Sequence, residues 1–302
     1  MSYKNFGHLI EHLSIDSNKR KVAAVMAAED RHTLEAVCQA RRVGIIEPLL
    51  IGNKARIKRQ LTILNEQASD YPIVNVETTE GIVLAAARMI SDGKAHFLMK
   101  GLLQTGEMMK ILLSEQAGFR TETQMTHLSI VEIPAYHKLF GLTDAALSVA
   151  PDLAQKKIIL ENAINTMRLM GFDRLKVAIL SAVEQVNPKM QDTVDADALK
   201  KMNFQGNFTD CIIEGPISYD LAISKQAAEL KGYESPVCGD VDLLVVPNLV
   251  TGNVLLKALR YSAQAISAGI VIGGKAPLVL TSRAAEAESK YLPIILAAAA
   301  SA

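Results

Sequence analysis

Ser282 and Arg283 are adjacent residues whose hydroxyl and guanidinium groups together suit the binding of a phosphate group. They follow the apolar run Ala276 to Thr281, a pattern that is typical of a buried strand in a parallel sheet. Ligands of open α/β sheets bind outside the carboxyl ends of the strands. The sequence therefore predicts that both side chains lie where a ligand would dock.

A second segment with the same character begins at Lys100, which ends another predicted strand. Gly101 and Gly106 allow the backbone to approach a ligand closely. The free N–H groups of the helix that follows favour anions, and Lys110 adds positive charge one turn into that helix. Arg120 comes after the helix, in a predicted loop.

Two further strand ends carry polar residues. Val245–Asn248 ends a strand, and Thr251–Asn253 is predicted to open the next helix. Glu214–Ala222 also follows a strand, and there Ser218 is interpreted as a helix N-cap. His127 and His137 lie on extended segments without a local partner, so they are interpreted as structural.

These residues must be positioned by regular elements, and the first third of the chain alternates short apolar runs with amphipathic stretches. Strands are predicted at 21–28, 48–52, 73–76 and 95–100. Helices are predicted at 31–43, 54–65 and 79–91. This alternation indicates a parallel sheet covered by helices.

The period changes at two extended runs, 127–133 and 138–147, which are separated by only four residues. No helix fits between them, so they should pair antiparallel, and this break is the best candidate for a domain crossing. The alternation then resumes. Strands are predicted at 176–180, 211–213, 242–246, 269–273 and 277–281, and helices at 152–171, 219–231 and 253–267.

Composition narrows the functional classes. The 302 residues suffice for two domains of ordinary size. Basic and acidic residues balance at 32 each, which argues against a nucleic-acid binder or a polybasic membrane surface. Three separate cysteines and the lack of a signal-peptide pattern favour the cytoplasm. The apolar run 294–300 is shorter than the roughly 20 residues that a membrane span needs and is interpreted as the last helix.

Together, the segments resemble the phosphate acetyl/butyryltransferase family, most closely its butyryl branch. The resemblance covers nearly the whole chain from Phe97 onward and rests on many matches in the same order. They are Met99-Lys100-Gly101-Leu102, Gly118-Phe119-Arg120-Thr121, Glu132-Ile133-Pro134, Leu142-Thr143-Asp144-Ala145-Ala146, Ala150-Pro151-Asp152-Leu153, Val186-Asn187-Pro188-Lys189-Met190, Gly215-Pro216, Pro247-Asn248 with Gly252-Asn253-Val254-Leu255 and Lys257, and Thr281-Ser282-Arg283.

The resemblance implies an α/β fold of two domains with mainly parallel sheets, like the isocitrate and isopropylmalate dehydrogenases. The active site would lie in the cleft between the domains. Residues 1–130 and 268–302 would form the first domain, and residues 131–267 the second. A homodimer or a higher homo-oligomer is expected.

The reaction that the resemblance implies is reversible acyl transfer. A short-chain acyl-CoA, butyryl or branched, and inorganic phosphate would give an acyl phosphate and CoA. No metal and no cofactor is expected beyond CoA as a substrate, and neither nucleic acid nor membrane is an expected partner.

The resemblance also assigns roles to residues. Ser282 would hydrogen-bond the reacting centre, and Arg283 would hold the phosphoryl group or the CoA thiolate. The catalytic acid or base would be Glu286 or Glu288, of which we take Glu288. The remaining expected binding residues contact phosphate, CoA or the cleft: Lys100, Gly101, Thr105, Gly106, Lys110, Arg120, Gly252 and Asn253.

Three alternatives remain open from the sequence. The first is the acetyl-specific enzyme of the same family. The second is a metal- and NAD-dependent decarboxylating dehydrogenase, which should show clustered aspartates and substrate-binding arginines. The third is a non-catalytic relative that has kept the fold.

Overall fold

The computed structural model describes residues 2–14, 20–282 and 286–301. The chain divides into two compact units. The central unit consists of Met1–Phe6 and Gln124–Ser267, and the flanking unit of Gly7–Thr123 and Ala268–Ala302. The flanking unit is therefore assembled from segments that lie far apart in the sequence.

The flanking unit is an α/β structure with a mainly parallel sheet. Its strands are β1 (Lys21–Met26), β2 (Ile46–Gly52), β3 (Ile73–Asn75), β4 (Phe97–Lys100), β10 (Ile266–Ile272) and β11 (Leu278–Val279). Its helices are α1 (Phe6–Ser14), α2 (Arg31–Arg42), α3 (Lys54–Ile63), α4 (Thr79–Ser91), α5 (Thr105–Leu112) and α11 (Ala287–Ala299). The strand order is β3-β2-β1-β4-β11-β10, and of these neighbours β10 and β11 pair antiparallel while the others are parallel.

Helix α2 shows how the sequence sets the boundaries of these elements. Asp30 precedes the helix, and its side chain accepts a hydrogen bond from the backbone N–H of Thr33 at 2.8 Å. Such a cap satisfies an N–H group that has no partner within the helix. Arg41 and Arg42 lie in the last turn, where positive charge suits the helix dipole.

The central unit is also α/β and mainly parallel. Its strands are β5 (Thr126–Glu132), β6 (Phe140–Thr143), β7 (Leu175–Leu180), β8 (Cys211–Ile217) and β9 (Leu243–Val245). Its helices are α6 (Leu153–Leu169), α7 (Gln191–Phe204), α8 (Tyr219–Ile223), α9 (Lys225–Lys231) and α10 (Leu249–Ser262). The strand order is β5-β6-β9-β7-β8, with a core that includes the buried side chains of Phe140, Leu142 and Leu244. The predicted α/β class with mainly parallel strands is thus confirmed.

The predicted antiparallel pair is confirmed as β5 and β6, with Leu128 opposite Thr143. The other neighbours in this sheet, β6 with β9, β9 with β7 and β7 with β8, are parallel. The amino end of β5 therefore lies at the same edge of the sheet as the carboxyl ends of β6, β7, β8 and β9.

Two predicted helices differ from the structure, and one observed helix was not predicted. The helix predicted at 219–231 is broken at Ser224, whose hydroxyl caps α9 by accepting from the N–H of Ala227 at 3.2 Å. The helix predicted from Asn253 begins at Leu249, because Asn248 caps it by accepting from the N–H of Thr251 at 2.9 Å. Helix α7 was not predicted, since its mixture of charged and apolar residues has no clear apolar stripe.

Within the described ranges, no helix is both long and apolar enough to cross a membrane. The apolar run 294–300 forms the last six residues of α11 and its C-cap, and it is buried.

Candidate active site

Three neighbouring parallel strands of the flanking unit end at one edge of its sheet. Met26 of β1 is level with Lys100 of β4, and Val279 of β11 is level with Met99 of β4. Ser282 follows β11 and is exposed. The loop after β4 and the segment that carries Ser282 therefore emerge side by side, as the strand pattern alone could not show.

Gly101 is required by the close contact between the loops that follow β1 and β4. Its N–H donates to the carbonyl oxygen of Met26 at 2.8 Å. A Cβ atom at this position would stand 2.4 Å from the carbonyl oxygen of Ala27 and 2.7 Å from that of Met26. Both are backbone atoms, so no larger residue fits without moving the main chain.

Lys100 is buried at the end of β4, with a relative exposure of 2%. Its Nζ donates to the carbonyl oxygens of Gly101 and Leu103, each at 3.4 Å. A buried ammonium needs such acceptors because the loss of water around it is costly. Lys100 therefore lies beneath the loop that precedes α5.

The first turn of helix α5 is where an anion was predicted to bind. Gln104 at its N-cap makes no side-chain capping hydrogen bond. Thr105, Gly106 and Lys110 are all exposed, and no atom lies within 4 Å of the position where a Cβ of Gly106 would stand. The first turn of α5 is thus accessible, and anion binding there stays a prediction.

Arg120 is exposed in a loop that is hydrogen-bonded to the turn before β11. That turn lies at the opposite end of the strand from Ser282. The hydroxyls of Thr121 and Thr123 donate to the carbonyl oxygen of Gly273 at 2.6 and 3.1 Å. Gly273 lies in the turn before β11, whereas Ser282 follows that strand. These contacts do not bring Arg120 to Ser282, and its role at the same site stays a prediction.

Arg283 lies outside the described residues. On the far side of that gap, Glu286 is the N-cap of α11 and Glu288 is exposed in its first turn. Lys290 anchors this turn, because its buried Nζ lies 3.0 Å from Oγ1 of Thr33 and 3.5 Å from Oδ1 of Asp30. The start of α11 is therefore tied to the start of α2, next to the carboxyl end of β1.

The other two predicted residues, Gly252 and Asn253, lie in the central unit on α10. A Cβ on Gly252 would stand 2.9 Å from Cα of Ala145, so the helix packs directly on the loop after β6. Asn253 donates from Nδ2 to the carbonyl oxygen of Ala145 at 3.5 Å. Gly252 thus has a packing role.

The loop after β6 is organised by the buried carboxylate of Asp144. It accepts hydrogen bonds from the N–H groups of Ala146 and Leu147 at 2.9 and 2.8 Å and from that of His127 at 3.0 Å. Burial lowers the pKa of the His127 imidazole below its usual range, although Asp144 opposes this effect. The backbone of His127 is thus tied to this loop, and the structural interpretation of its side chain stays a prediction.

The central unit also contains a cavity of about 1200 Å³ that sequence reasoning missed. Its lining includes Ser181 after β7, Asn248 after β9, and residues from the first turns of α6, α7 and α10. Neither Gly252 nor Asn253 belongs to the lining. Asp152 and Asn248 lay at the ends of predicted elements, but nothing in the sequence indicated that the helices after them meet around one space.

No group of three or more His, Cys, Asp and Glu side chains that could hold a metal ion occurs in the described part of the chain. The three cysteines, Cys38, Cys211 and Cys238, are free thiols.

Comparison with known proteins identifies the chain. Residues 76–298 match the family model described as phosphate acetyl/butaryl transferase. A phosphate acetyltransferase of Thermotoga maritima is 40% identical over 280 residues, covering 93% of this chain and 95% of the relative. A phosphate butyryltransferase of Clostridium acetobutylicum is 37% identical over 295 residues, covering 98% and 97%.

A solved structure agrees with these sequence relatives. The crystal structure of a branched-chain phosphotransacylase from Enterococcus faecalis V583 superimposes with a TM-score of 0.81 at 30% identity, covering 93% of this chain and 98% of that one. The expected family is therefore confirmed, and the chain belongs to the phosphate acetyl/butaryl transferase family.

Proposed function

We propose that this protein is a phosphate acyltransferase that moves a butyryl or branched short-chain acyl group between CoA and inorganic phosphate. The observation that carries the proposal is the pairing of β4 with β11. That pairing places the Lys100–Gly101 loop, the open first turn of α5 and Ser282 at neighbouring strand ends in a chain of this family. Anion binding at a helix start and a hydroxyl at the next strand end suit a phosphorylated substrate.

In the direction of thioester synthesis, the thiol of CoA loses its proton and the sulfur attacks the carbonyl carbon of the acyl phosphate. A tetrahedral oxyanion forms, and the bond between that carbon and the phosphate oxygen then breaks. Ser282 hydrogen-bonds the reacting centre, and Arg283 balances the charge of the thiolate or of the leaving phosphate. Such catalysis relies on positioning and on stabilising the charge that develops in the transition state.

The other residues have supporting roles in this proposal. Glu288 accepts the thiol proton, with Glu286 as the alternative. Lys110 and Arg120 bind the phosphate side, and Lys100 fixes the loop from which α5 starts. Thr105, Gly106 and Asn253 contact the substrates, while Gly101 and Gly252 permit the close packing that holds the neighbouring loops in place.

The proposal also covers the domain organisation, the location in the cell, the oligomeric state and the cofactor requirement. The two compact units are two domains of the isocitrate and isopropylmalate dehydrogenase type, and their bounds differ from the expected 1–130 with 268–302 and 131–267 because residues 1–6 and 124–130 belong to the central unit. The enzyme acts in the cytoplasm as a homodimer or a higher homo-oligomer and needs no cofactor besides its substrate CoA.

The acetyl group is a second candidate substrate. Its support is the similarity to the phosphate acetyltransferase of Thermotoga maritima, which is comparable to the similarity to the butyryltransferase. The two candidates share every proposed chemical step and differ in the space required by the acyl chain.

The proposal is tested by measuring phosphate-dependent release of CoA from acetyl-, butyryl- and isobutyryl-CoA. We expect release that survives EDTA, because the described residues contain no cluster of metal ligands. Loss of activity on chelation that a divalent ion restores would contradict this expectation and favour the dehydrogenase alternative. Absence of phosphate-dependent release with every thioester would favour the non-catalytic relative.

A further inference from the structure

The start of helix α11 is not ordered by a cap of its own. Glu286 is the N-cap residue and makes no side-chain capping hydrogen bond. Such bonds order helix starts because they satisfy N–H groups that have no partner within the helix. The first turn of α11, which carries the proposed base Glu288, must therefore be held by contacts with other elements.

Lys290 is the fourth residue of α11, and its side chain is only 1% exposed. Burial of an ammonium group costs free energy, because the group loses its water. A positive charge near the start of a helix is also opposed by the helix dipole. Groups outside α11 must offset both costs.

These groups belong to the start of helix α2. Nζ of Lys290 donates to Oγ1 of the buried Thr33 at 3.0 Å and lies 3.5 Å from Oδ1 of Asp30. The same Oδ1 accepts from the backbone N–H of Thr33 at 2.8 Å. One carboxylate thus caps α2 and pairs with α11, so a single set of contacts holds the starts of both helices.

The identity of Asp30 is explained by Lys290 better than by the cap alone. Ser, Thr or Asn would cap α2 as well as Asp without placing a charge there. Moreover, Oδ2 of Asp30 is buried without a hydrogen-bond partner among the described residues, which is unfavourable for a carboxylate. A negative charge at this position is useful because it balances the buried ammonium.

The start of α2 is in turn placed by the sheet. Asp30 comes four residues after Met26, the last residue of β1, which is level with Lys100 of β4. The contacts of Lys290 therefore connect the first turn of α11 to the edge of the sheet at which β4 and β11 also end.

We infer that Lys290, Asp30 and Thr33 are positioning residues that hold the first turn of α11, and with it Glu288, at this edge. The inference rests on the proposed function, in which Glu288 accepts the thiol proton of CoA. A base contributes to the rate only within hydrogen-bond reach of the proton that it takes. The three residues act through the helix and not by contact with a substrate.

The first test removes the ion pair in two ways. Lys290→Met removes the ammonium and keeps most of the side-chain volume. The double variant Lys290→Met with Asp30→Asn also removes the unbalanced carboxylate, while Asn can still cap α2. We expect Lys290→Met to lower kcat for butyryl-CoA and phosphate by roughly 10- to 100-fold, the scale of displacing a reacting group by about 1 Å. Both KM values should change little. The double variant should regain melting temperature but not kcat.

The second test is milder and has a matched control. Thr33→Val removes the hydroxyl that accepts from Lys290 and keeps the shape of the side chain. The control is Thr193→Val in the central unit, because Thr193 is also the third residue of its helix, fully buried and hydrogen-bonded through its hydroxyl. Lys156→Met is the control for losing a buried ammonium. We expect Thr33→Val to lower kcat, and both controls to lower the melting temperature while kcat is kept.

The outcomes separate this inference from the function on which it rests. If the wild-type protein shows no phosphate-dependent CoA release, the proposed function fails. If it is active, and Lys290→Met and Thr33→Val keep its kcat below their melting temperatures, only the inference is overturned. Recovery of kcat in the double variant would show that Lys290 merely balances a buried charge. A raised KM with unchanged kcat, or a kcat that falls as far in the controls, would also overturn the positioning role.

Discussion

Gly101 and Gly106 belong to the same loop and helix start, yet a methyl group would meet very different surroundings at each. At Gly101 it would collide with two backbone carbonyl oxygens, whereas at Gly106 it would enter open space. We expect Gly101→Ala to lower the free energy of unfolding by about 1–3 kcal/mol, the usual cost of overpacking.

Gly106→Ala provides the matched control, and urea denaturation measures both variants. Because Gly106 lies in the first turn of α5, we expect its replacement to change stability little or to raise it by up to about 1 kcal/mol. Equal losses in the two variants would contradict the close contact between the loops after β1 and β4.

Arg283 is the residue on which the proposed chemistry depends most. An interaction that is stronger in the transition state than in the ground state acts on kcat. We expect Arg283→Ala to lower kcat by at least about 10²-fold, the scale of losing one charge-stabilising donor. Arg283→Lys should restore only part of the rate, because an ammonium cannot reproduce the planar guanidinium.

Steady-state kinetics and thermal unfolding of the same preparations show whether Arg283 acts in catalysis or only stabilises the fold. A functional Arg283 leaves the melting temperature nearly unchanged while kcat falls. Unfolding of the Ala variant, or a kcat close to that of the wild type, would show that the Ser282-Arg283 pair has no catalytic role.

Helices α6 and α7 are joined by the buried pair of Lys156 and Asp195, whose side chains are 7% and 5% exposed. Removing one partner leaves an uncompensated buried charge. We expect Lys156→Met to lower the free energy of unfolding by about 3–5 kcal/mol, and Asp195→Leu likewise. The double variant should recover most of the loss, because two apolar side chains then face each other.

Urea denaturation of the wild type, both single variants and the double variant forms a double-mutant cycle. Losses that simply add would show that the two side chains do not interact. The outcome also matters for the cavity, because both residues belong to its wall.

The elements show which parts of the fold could be predicted from the sequence. Alternating apolar runs predicted most strands, and the four residues between the runs 127–133 and 138–147 correctly predicted an antiparallel pair. The break at Ser224 and helix α7 were missed, since short polar caps and charged helices leave little periodic signal. The pairing of β11 with β4 depends on contacts distant in sequence, which periodicity does not encode.

Some features of the candidate site were likewise predictable from the sequence and others were not. Gly101, Gly106 and Ser282 were predicted as site residues because glycines and hydroxyls after strand ends have a recognisable pattern, and their roles stay predictions. The contacts of Lys100 with loop carbonyl oxygens and the buried anchor of Lys290 were not, because they depend on tertiary packing. The cavity was missed for the same reason, as its wall comes from separate helices.

For the whole molecule, the preference for one acyl chain distinguishes a butyryltransferase from an acetyltransferase. One additional methylene group of the acyl chain is worth roughly 1–3 kcal/mol in an apolar pocket. We expect kcat/KM for butyryl- or isobutyryl-CoA to exceed that for acetyl-CoA by about 10-fold or more. Initial rates with the three thioesters at saturating phosphate measure the ratio. A clear preference for acetyl-CoA would place the protein with the acetyltransferases of its family.

The pairing of β11 with β4 has a consequence for how the chain is made. Leu278 lies beside Leu98, so a strand that is synthesised early waits for a neighbour that lies 180 residues further along the chain. The central unit is complete by Ser267, before that neighbour emerges. During this interval β4 has an unpaired edge, which favours association with other chains. A nascent or truncated chain is therefore most vulnerable to aggregation at the same strand that later supports the proposed active site.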